Sequence, residues 1–417
     1  MKIGIISDTH IGDDTSTIIE KDKTGRYQTS QKFEDLKTEI FKHTQDKPLD
    51  YLILNGDILD FAINSFYGAC PKARVFFQEI YNVSLTNHII FLPGNHDKHI
   101  WDGLEWQCRV MKKMEKYEDP EKFIGKQTGI LDLVEGKFIL DKIHDTDRDV
   151  FIKGLFKNKS ESIPISIVHP NLYIKTKKEV ILVTHGHMLD LAWTIISEIV
   201  AGLKVIPGEM EFPEATKIKD YETYNIPITS MLCTASGQAG DITKLINKIE
   251  HYLYNINPKD VQYEKNLRSL KHIVETLWEG INKVFNISGL VSIFSFIAKR
   301  KILMMCKDYK KTRYNEDYFK DKEVKERFLK FYNASCVEAE HHKLSPPTKV
   351  FFGHTHDVMG TDEKTDPPMK TQNLERLGGI PALLYNTGGW LKNDDRYNAA
   401  VFIIDTDGGI DGREIEI

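Results

Sequence analysis

Over the first hundred residues, short apolar runs alternate with longer stretches of helical spacing. "KIGIIS" (2–7), "YLIL" (51–54) and "HIIFLP" (88–93) read as buried strands, and 31–44 and 71–86 as amphipathic helices. That rhythm predicts βαβ units and therefore an α/β sheet covered by helices. Further along, "IPISIVHPNLYIK" (163–175) and "EVILVTHGH" (179–187) predict a hairpin across a Lys-rich turn. "TKVFFGHTH" (348–356), "PALLYNTGGW" (381–390), "AAVFIID" (399–405) and "REIEI" (413–417) return the chain to sheet, and "GTDEKTDPPMKTQ" (360–372) reads as an inert surface loop. Residues 188–348 differ, with segments such as "DITKLINKIEHYLYNI" and "EKNLRSLKHIVETLWEGINKVF" keeping a helical period and few convincing strands. The expected organisation is a discontinuous core, 1–187 and 349–417, interrupted by a mainly helical insertion at 188–348 that could cap a substrate site.

Composition narrows this only modestly. With 417 residues, 41% hydrophobic and 28% charged, the chain can bury a large core, and a net charge of −5 gives no global pull toward nucleic acid. Five scattered cysteines (Cys70, Cys108, Cys233, Cys306 and Cys336) form no CxxC pair, so neither a disulfide framework nor a thiolate zinc site is expected. The N-terminus enters a strand without a secretory h-region, and the longest uncharged run, 284–298, is 15 residues, short of the roughly 20 that span a bilayer. A cytoplasmic location follows as the expectation. The run 284–298 is followed by "KRKILMMCKDYKKTR" (299–313), with seven Lys or Arg against one Asp. Such a pairing could hold an acyl chain and its anionic head or rest on a bilayer; a self-packed subdomain with a solvated basic face is the plainer reading.

The candidate chemistry sits where the strands stop. The first run leads into "SDTH" (Asp8, His10), the second into "NGDILD" (Asp57, Asp60) and the third into "GNHD" (Asn95, His96, Asp97). "ILVT" leads into "HGH" (His185, His187), and "KVFF" into "GHTH" (His354, His356). In extended chain, side chains at i and i+2 point the same way, so each pair can converge on one ion. Ligands at strand C-termini collect in one crevice of an α/β sheet. Turn and capping roles are the bland alternative, but turn chemistry does not call for paired histidines. Mixed imidazole, carboxylate and amide donors suit Mn²⁺, Fe or Zn²⁺ better than Mg²⁺.

The ordered set D-x-H, G-D-x-x-D, G-N-H-D, H-G-H and G-H-T-H resembles the calcineurin-like metallophosphoesterases on both sides of the insertion. The resemblance implies a four-layer α/β/β/α sandwich and two divalent ions, with Mn²⁺ as the leading expectation. It places Asp8, His10, Asp57 and His356 on one ion, and Asp57, Asn95, His185 and His354 on the other. It makes His96 the group that stabilises the transition state or protonates the leaving oxygen, with Asp97 orienting it. His187 and Asp60 are candidate substrate contacts, Asp60 equally a cap or support. Asn386, Gly388 and Gly389 in "YNTGGW" resemble the family's closing loop. The implied reaction is hydrolysis of a phosphomonoester, phosphodiester or pyrophosphate by in-line attack of a metal-bound hydroxide.

"LNGDILDF" and "YNTGGW" look most like the bacterial branch that includes UDP-2,3-diacylglucosamine hydrolase. His96 stands where that enzyme has arginine, and the insertion falls between the fourth and fifth motifs instead of before the fourth. A phosphorylated small molecule, or a nucleotide- or lipid-linked one, is the expected substrate. A nuclease of the same superfamily is disfavoured by the absence of a broad basic, aromatic-laced groove. A non-catalytic scaffold, as in a retromer subunit, is disfavoured by the full ligand set.

Overall fold

The computed structural model describes residues 1–140, 150–156, 162–189, 322–360, 372–375, 381–392 and 399–417, together with residues 217, 218, 238 and 268. Most of the expected insertion, including 284–313, lies outside the described residues. The first sheet contains β1 (Lys2–Ile6), β4 (Tyr51–Asn55), β5 (Ile89–Leu92), β8 (Ile165–Ile167), β14 (Ala399–Asp405) and β15 (Ile410–Ile415), in the order β15-β14-β1-β4-β5-β8. The second contains β6 (Gly129–Asp132), β7 (Lys137–Leu140), β9 (Asn171–Lys175), β10 (Val180–Thr184), β11 (Lys349–Phe352), β12 (Gln372–Glu375) and β13 (Pro381–Asn386), in the order β12-β13-β11-β10-β9-β6-β7. A small ribbon, β2 (Ile19–Lys21) with β3 (Tyr27–Thr29), stands apart.

The continuous apolar runs arise because both faces of each sheet are buried. On β1, β4 and β5, Ile3, Ile5, Ile53, Ile90 and Leu92 face the second sheet, where they meet Ile181, Val183 and Phe351. Alternate residues Leu52, Leu54, Ile89 and Phe91 face outward, against α1 (Gln31–Thr44) and α2 (Phe66–Asn82). The outer face of the second sheet, with Val180, Leu182, Val350 and Phe352, is covered by Val324, Phe328, Tyr332 and Cys336 of α6 (Lys322–His341), which follows the shorter helices α3 (His99–Trp106), α4 (Lys112–Glu115) and α5 (Val150–Lys153). Helix, sheet, sheet and helix make the expected four layers. Full burial of each large aliphatic side chain contributes about 1.5–3 kcal/mol.

Local signals set the helix ends. The Ser30 side chain accepts from Lys32 N and caps α1, whose Phe33, Leu36, Ile40 and Thr44 form the buried stripe. α2 starts five residues before the expected Pro71, because the Ser65 side chain caps it by accepting from Gly68 N. Pro71 sits inside the helix and forgoes one backbone bond there. The run 163–175 is not one strand. Pro170, which has no N–H for a ladder, separates β8 in one sheet from β9 in the other. The β9–β10 hairpin is present, with Leu182 opposite Tyr173. The β6–β7 hairpin is an element the spacing did not indicate, as is β12; residues 361–371 of the expected surface loop lie outside the described residues.

α6 corrects the insertion boundary at 348. Its residues fall inside 188–348, yet they form the outer layer of the core. Glu338, nearly buried, ties it down by accepting from Lys126 Nζ (2.6 Å), Thr128 Oγ1 (2.9 Å), Asn171 Nδ2 (3.0 Å) and the Tyr173 hydroxyl (3.0 Å). Such partners offset the hydration a buried carboxyl group gives up. No helix among the described residues is long and apolar enough to cross a membrane.

Candidate metal centre

Five strands deliver side chains to one place. β1, β4 and β5 run parallel, as do β10 and β11, so their C-terminal ends share an edge of the sandwich. Beyond those ends the backbone turns sharply. Asp8, His10, Asp57, His354 and His356 all have φ between 44° and 67°, the left-handed region that non-glycine residues avoid. Such conformations are of order 1–3 kcal/mol above relaxed backbone and cluster at functional sites. Two glycines make room. A Cβ on Gly56 would overlap the His185 ring, and one on Gly94 would overlap Asp57 Oδ1.

The donor atoms of Asp8, His10 and His356 lie within 4.8 Å of one another, as do those of Asp57, His185 and His354. Asp57 stands between the groups, its Oδ2 3.8 Å from His10 Nε2 and 3.2 Å from His185 Nε2. Asn95 joins the second group through Oδ1, 3.1 Å from His185 Nε2. Hydrogen bonds preset the rings. His185 Nδ1 donates to the Asn55 carbonyl (3.0 Å), and His10 Nδ1 donates to Asp60 Oδ2 (2.9 Å). A carbonyl and a carboxylate only accept, so each Nδ1 carries a proton, which fixes the ring and leaves Nε2 as the atom aimed at the centre. The His354 backbone N–H donates to Asp8 Oδ1 (3.0 Å), and the His96 N–H to Asp57 Oδ1 (2.8 Å).

The centre is rich in buried negative charge. Burial works against ionised Asp57, yet His185, His96 and His10 hold its carboxyl well below the usual range. Asp8 and Asp60 follow the same pattern: burial opposes their charge, and neighbouring histidines lower them. Burial also disfavours a charged His185, but the Asp57 and Asp8 carboxylates push it up to about 9. His185 thus takes up positive charge that divalent cations would supply.

One expected role needs correction. Asp97 does not orient His96. Its Oδ2 accepts from the backbone of Ile58 (2.8 Å) and Leu59 (3.2 Å) and its Oδ1 from Gly94 (2.6 Å), pinning the second motif to the third. Burial and nearby Asp57 push Asp97 up to about 7. Asp60 is the residue that meets His96, whose Nδ1 donates to Oδ2 at 3.0 Å. Asp60 Oδ2 therefore receives both His10 and His96, while Oδ1 accepts from Ile63 N (2.8 Å). That makes Asp60 a positioning residue, a role the G-D-x-x-D spacing left open. Asp60→Asn is expected to lower kcat by roughly 10- to 100-fold and weaken Mn²⁺ binding, with little change in KM. Steady-state kinetics with metal titration checks this, and unchanged values of both would remove the role.

His187 is buried, with its ring centroid 5.7 Å from that of His185, at the start of the turn His187–Leu189. No described contact ties it to the carboxylates. The "YNTGGW" loop does reach the centre. Asn386 Nδ2 donates to the Gly353 carbonyl (3.0 Å), the Ser7 and Thr387 hydroxyls meet, and Trp390 N donates to the Asp8 carbonyl (3.0 Å). Ser7 and Thr387 went unremarked in the motifs because a lone hydroxyl in a chain of 417 residues carries no spacing signal.

The residues fit a pair of divalent cations. Asp57 Oδ2 is buried without an aligned hydrogen-bond donor, and His10 Nε2 and His356 Nε2 converge to 3.1 Å. Two imidazole nitrogens at that distance share a proton, or could share a cation. Among solved structures, a dimetal phosphatase from Danio rerio aligns at 10% identity over 97% of this chain and 95% of its own, with a TM-score of 0.30. An NAD nucleotidase from Haemophilus influenzae aligns at 10% identity over 99% of this chain and 55% of its own, with a TM-score of 0.29. Similarity that low bears on neither fold nor function. No curated protein sequence matches significantly. The family model described as calcineurin-like phosphoesterase matches residues 1–209, which hold four of the five motifs, and the fifth completes the centre described above. The chain thus belongs to the calcineurin-like phosphoesterase family and is a metal-dependent phosphoester hydrolase.

Proposed function

We propose that the centre holds two divalent cations, with Asp8, His10, Asp57 and His356 around one and Asp57, Asn95, His185 and His354 around the other, and hydrolyses the phosphoester of a small molecule. The observation that carries this reading is Asp57, buried between two groups of converging donors. When bound, the cations supply a nucleophile at neutral pH and neutralise charge on the phosphoryl oxygens. Mn²⁺ is the proposed metal, on the strength of the mixed nitrogen and oxygen donor set.

The remaining work falls to the chain. Most of the centre is closed to solvent, whereas His96 and His356 are 6% and 7% exposed, so phosphate would enter at their edge. With Nδ1 fixed on Asp60, His96 presents Nε2 on the opposite side of its ring, placed to give a proton to the leaving oxygen. Asp60 stabilises the imidazolium that donates it. The resemblance to UDP-2,3-diacylglucosamine hydrolase lends no substrate, since His96 replaces that enzyme's arginine.

Metal-loaded protein is expected to hydrolyse p-nitrophenyl phosphate or bis-p-nitrophenyl phosphate, and chelation is expected to stop it. The ratio of the two rates reports monoester against diester preference. Inertness toward both with Mn²⁺, Zn²⁺, Fe²⁺ and Co²⁺ would favour the scaffold reading instead. Salt-sensitive binding and cleavage of short DNA would favour a nuclease.

A further inference from the structure

A cavity of about 600 Å³, within the size range of small-molecule sites, is lined by residues that follow closely on Asp60 and His96 in the chain. Phe61, Phe66, His99, Ile100, Met111 and Phe151 supply its apolar lining, and Gln107, Lys112 and Glu115 give it a polar edge. The same two loops build the catalytic pair and the cavity. Asp60 meets His96, and the next residue, Phe61, turns its ring into the cavity while its N–H donates to the His96 carbonyl (3.2 Å). α3 (His99–Trp106) starts three residues after His96 and continues as a π-helical turn, Gln107–Met111, that forms the far side. π-helical turns recur at functional sites because the extra residue reshapes the helix surface.

A third segment reaches this lining. The Gln238 side chain donates to the carbonyls of Phe61 (3.0 Å) and Asn64 (3.1 Å) and accepts from Phe66 N (3.2 Å). A residue of the expected insertion therefore holds the loop on which both Asp60 and the cavity lining depend.

The ring geometry discriminates between occupants. Phe61 meets Phe66 at 54°, His99 at 85° and Phe151 at 84°, and Phe66 meets His99 at 86° and Phe151 at 64°. None of these pairs is parallel, so they offer no slot in which a nucleobase could stack between two faces. An aliphatic chain asks only for dispersion contact, which crossed rings and a flexible methionine provide. Resting on the phosphoesterase reading, we propose that this cavity binds an alkyl chain carried on the leaving group, making the substrate an amphipathic phosphoester.

The test is a series of n-alkyl phosphates, methyl to octyl, with the full Mn²⁺-loaded chain. Values of kcat/KM are expected to rise roughly fourfold per methylene until the cavity fills. Met111→Asp, at a side chain 49% exposed, and Phe66→Ser are expected to flatten that slope while leaving methyl phosphate hydrolysis within about twofold. A flat wild-type slope, a slope unchanged in both variants, or a preference for phenyl or adenosyl over hexyl phosphate would overturn the assignment. If no ester is hydrolysed, the phosphoesterase reading fails by itself. Calorimetry with methyl- to octylphosphonate then decides the cavity: affinity that grows with chain length and is lost in Met111→Asp supports it, and length-independent affinity rejects it.

Discussion

Asp57→Ala is expected to lose metal binding and hydrolysis together. Asp57 is fully buried, and its Oδ2 faces His10 on one side and His185 on the other. Its Oδ1 also anchors the loop carrying His96. Removing it takes a negative charge from between two cation positions, so kcat should fall by at least about a thousandfold. Folding offers an independent check. A ligand at a hundredfold over its Kd stabilises the native state by about 2.7 kcal/mol, so saturating Mn²⁺ should raise the wild-type Tm measurably. In Asp57→Ala that rise should vanish, and the metal-free Tm should fall, since the buried imidazoles of His185 and His10 lose their partner and the His96 loop its anchor. A variant that still shows the full metal-dependent Tm rise would remove Asp57 from its place between the ions.

His96→Gln is expected to leave the metals in place and slow the chemistry. General acid catalysis contributes roughly 10²- to 10⁴-fold, and kcat should fall within that range while Mn²⁺ affinity holds. Leaving-group dependence gives the sharper readout. An ester with a good leaving group, such as p-nitrophenolate, needs little protonation and should suffer least; an alkyl ester should suffer most. Equal losses for both would mean that His96 binds phosphate without giving a proton. Combining His96→Gln with Asp60→Asn should add little to the loss in the proton-transfer step, because Asp60 acts there through His96.

Much of the fold was legible because burial on both faces writes strands as unbroken apolar runs. β1, β4, β5, β10 and β11 all lie inside such runs. Each run ends in a motif whose polar side chains have no local purpose, which is why the donor set could be read in order. Failures came where local and tertiary signals part. "IPISIVHPNLYIK" is uniformly apolar, and nothing local says that its halves join different sheets. α6 has the same amphipathic period as any helix of an insertion, and only its contact with Val350 and Phe352 makes it a core layer.

The catalytic pair shows the same division. Asp60 and Asp97 are both carboxylates near His96, and the family resemblance had Asp97 orienting it. Folding reversed that choice. The bend that carries both residues turns Asp97 toward the amides of Ile58, Leu59 and Gly94, while Asp60 arrives from another strand end. Sequence by itself determined which side chains are available and which strand ends present them, since periodicity and residue type are local properties. The tertiary structure alone decided which atoms meet, which imidazole nitrogen faces inward and where an apolar cavity opens, because those depend on contacts between residues far apart along the chain.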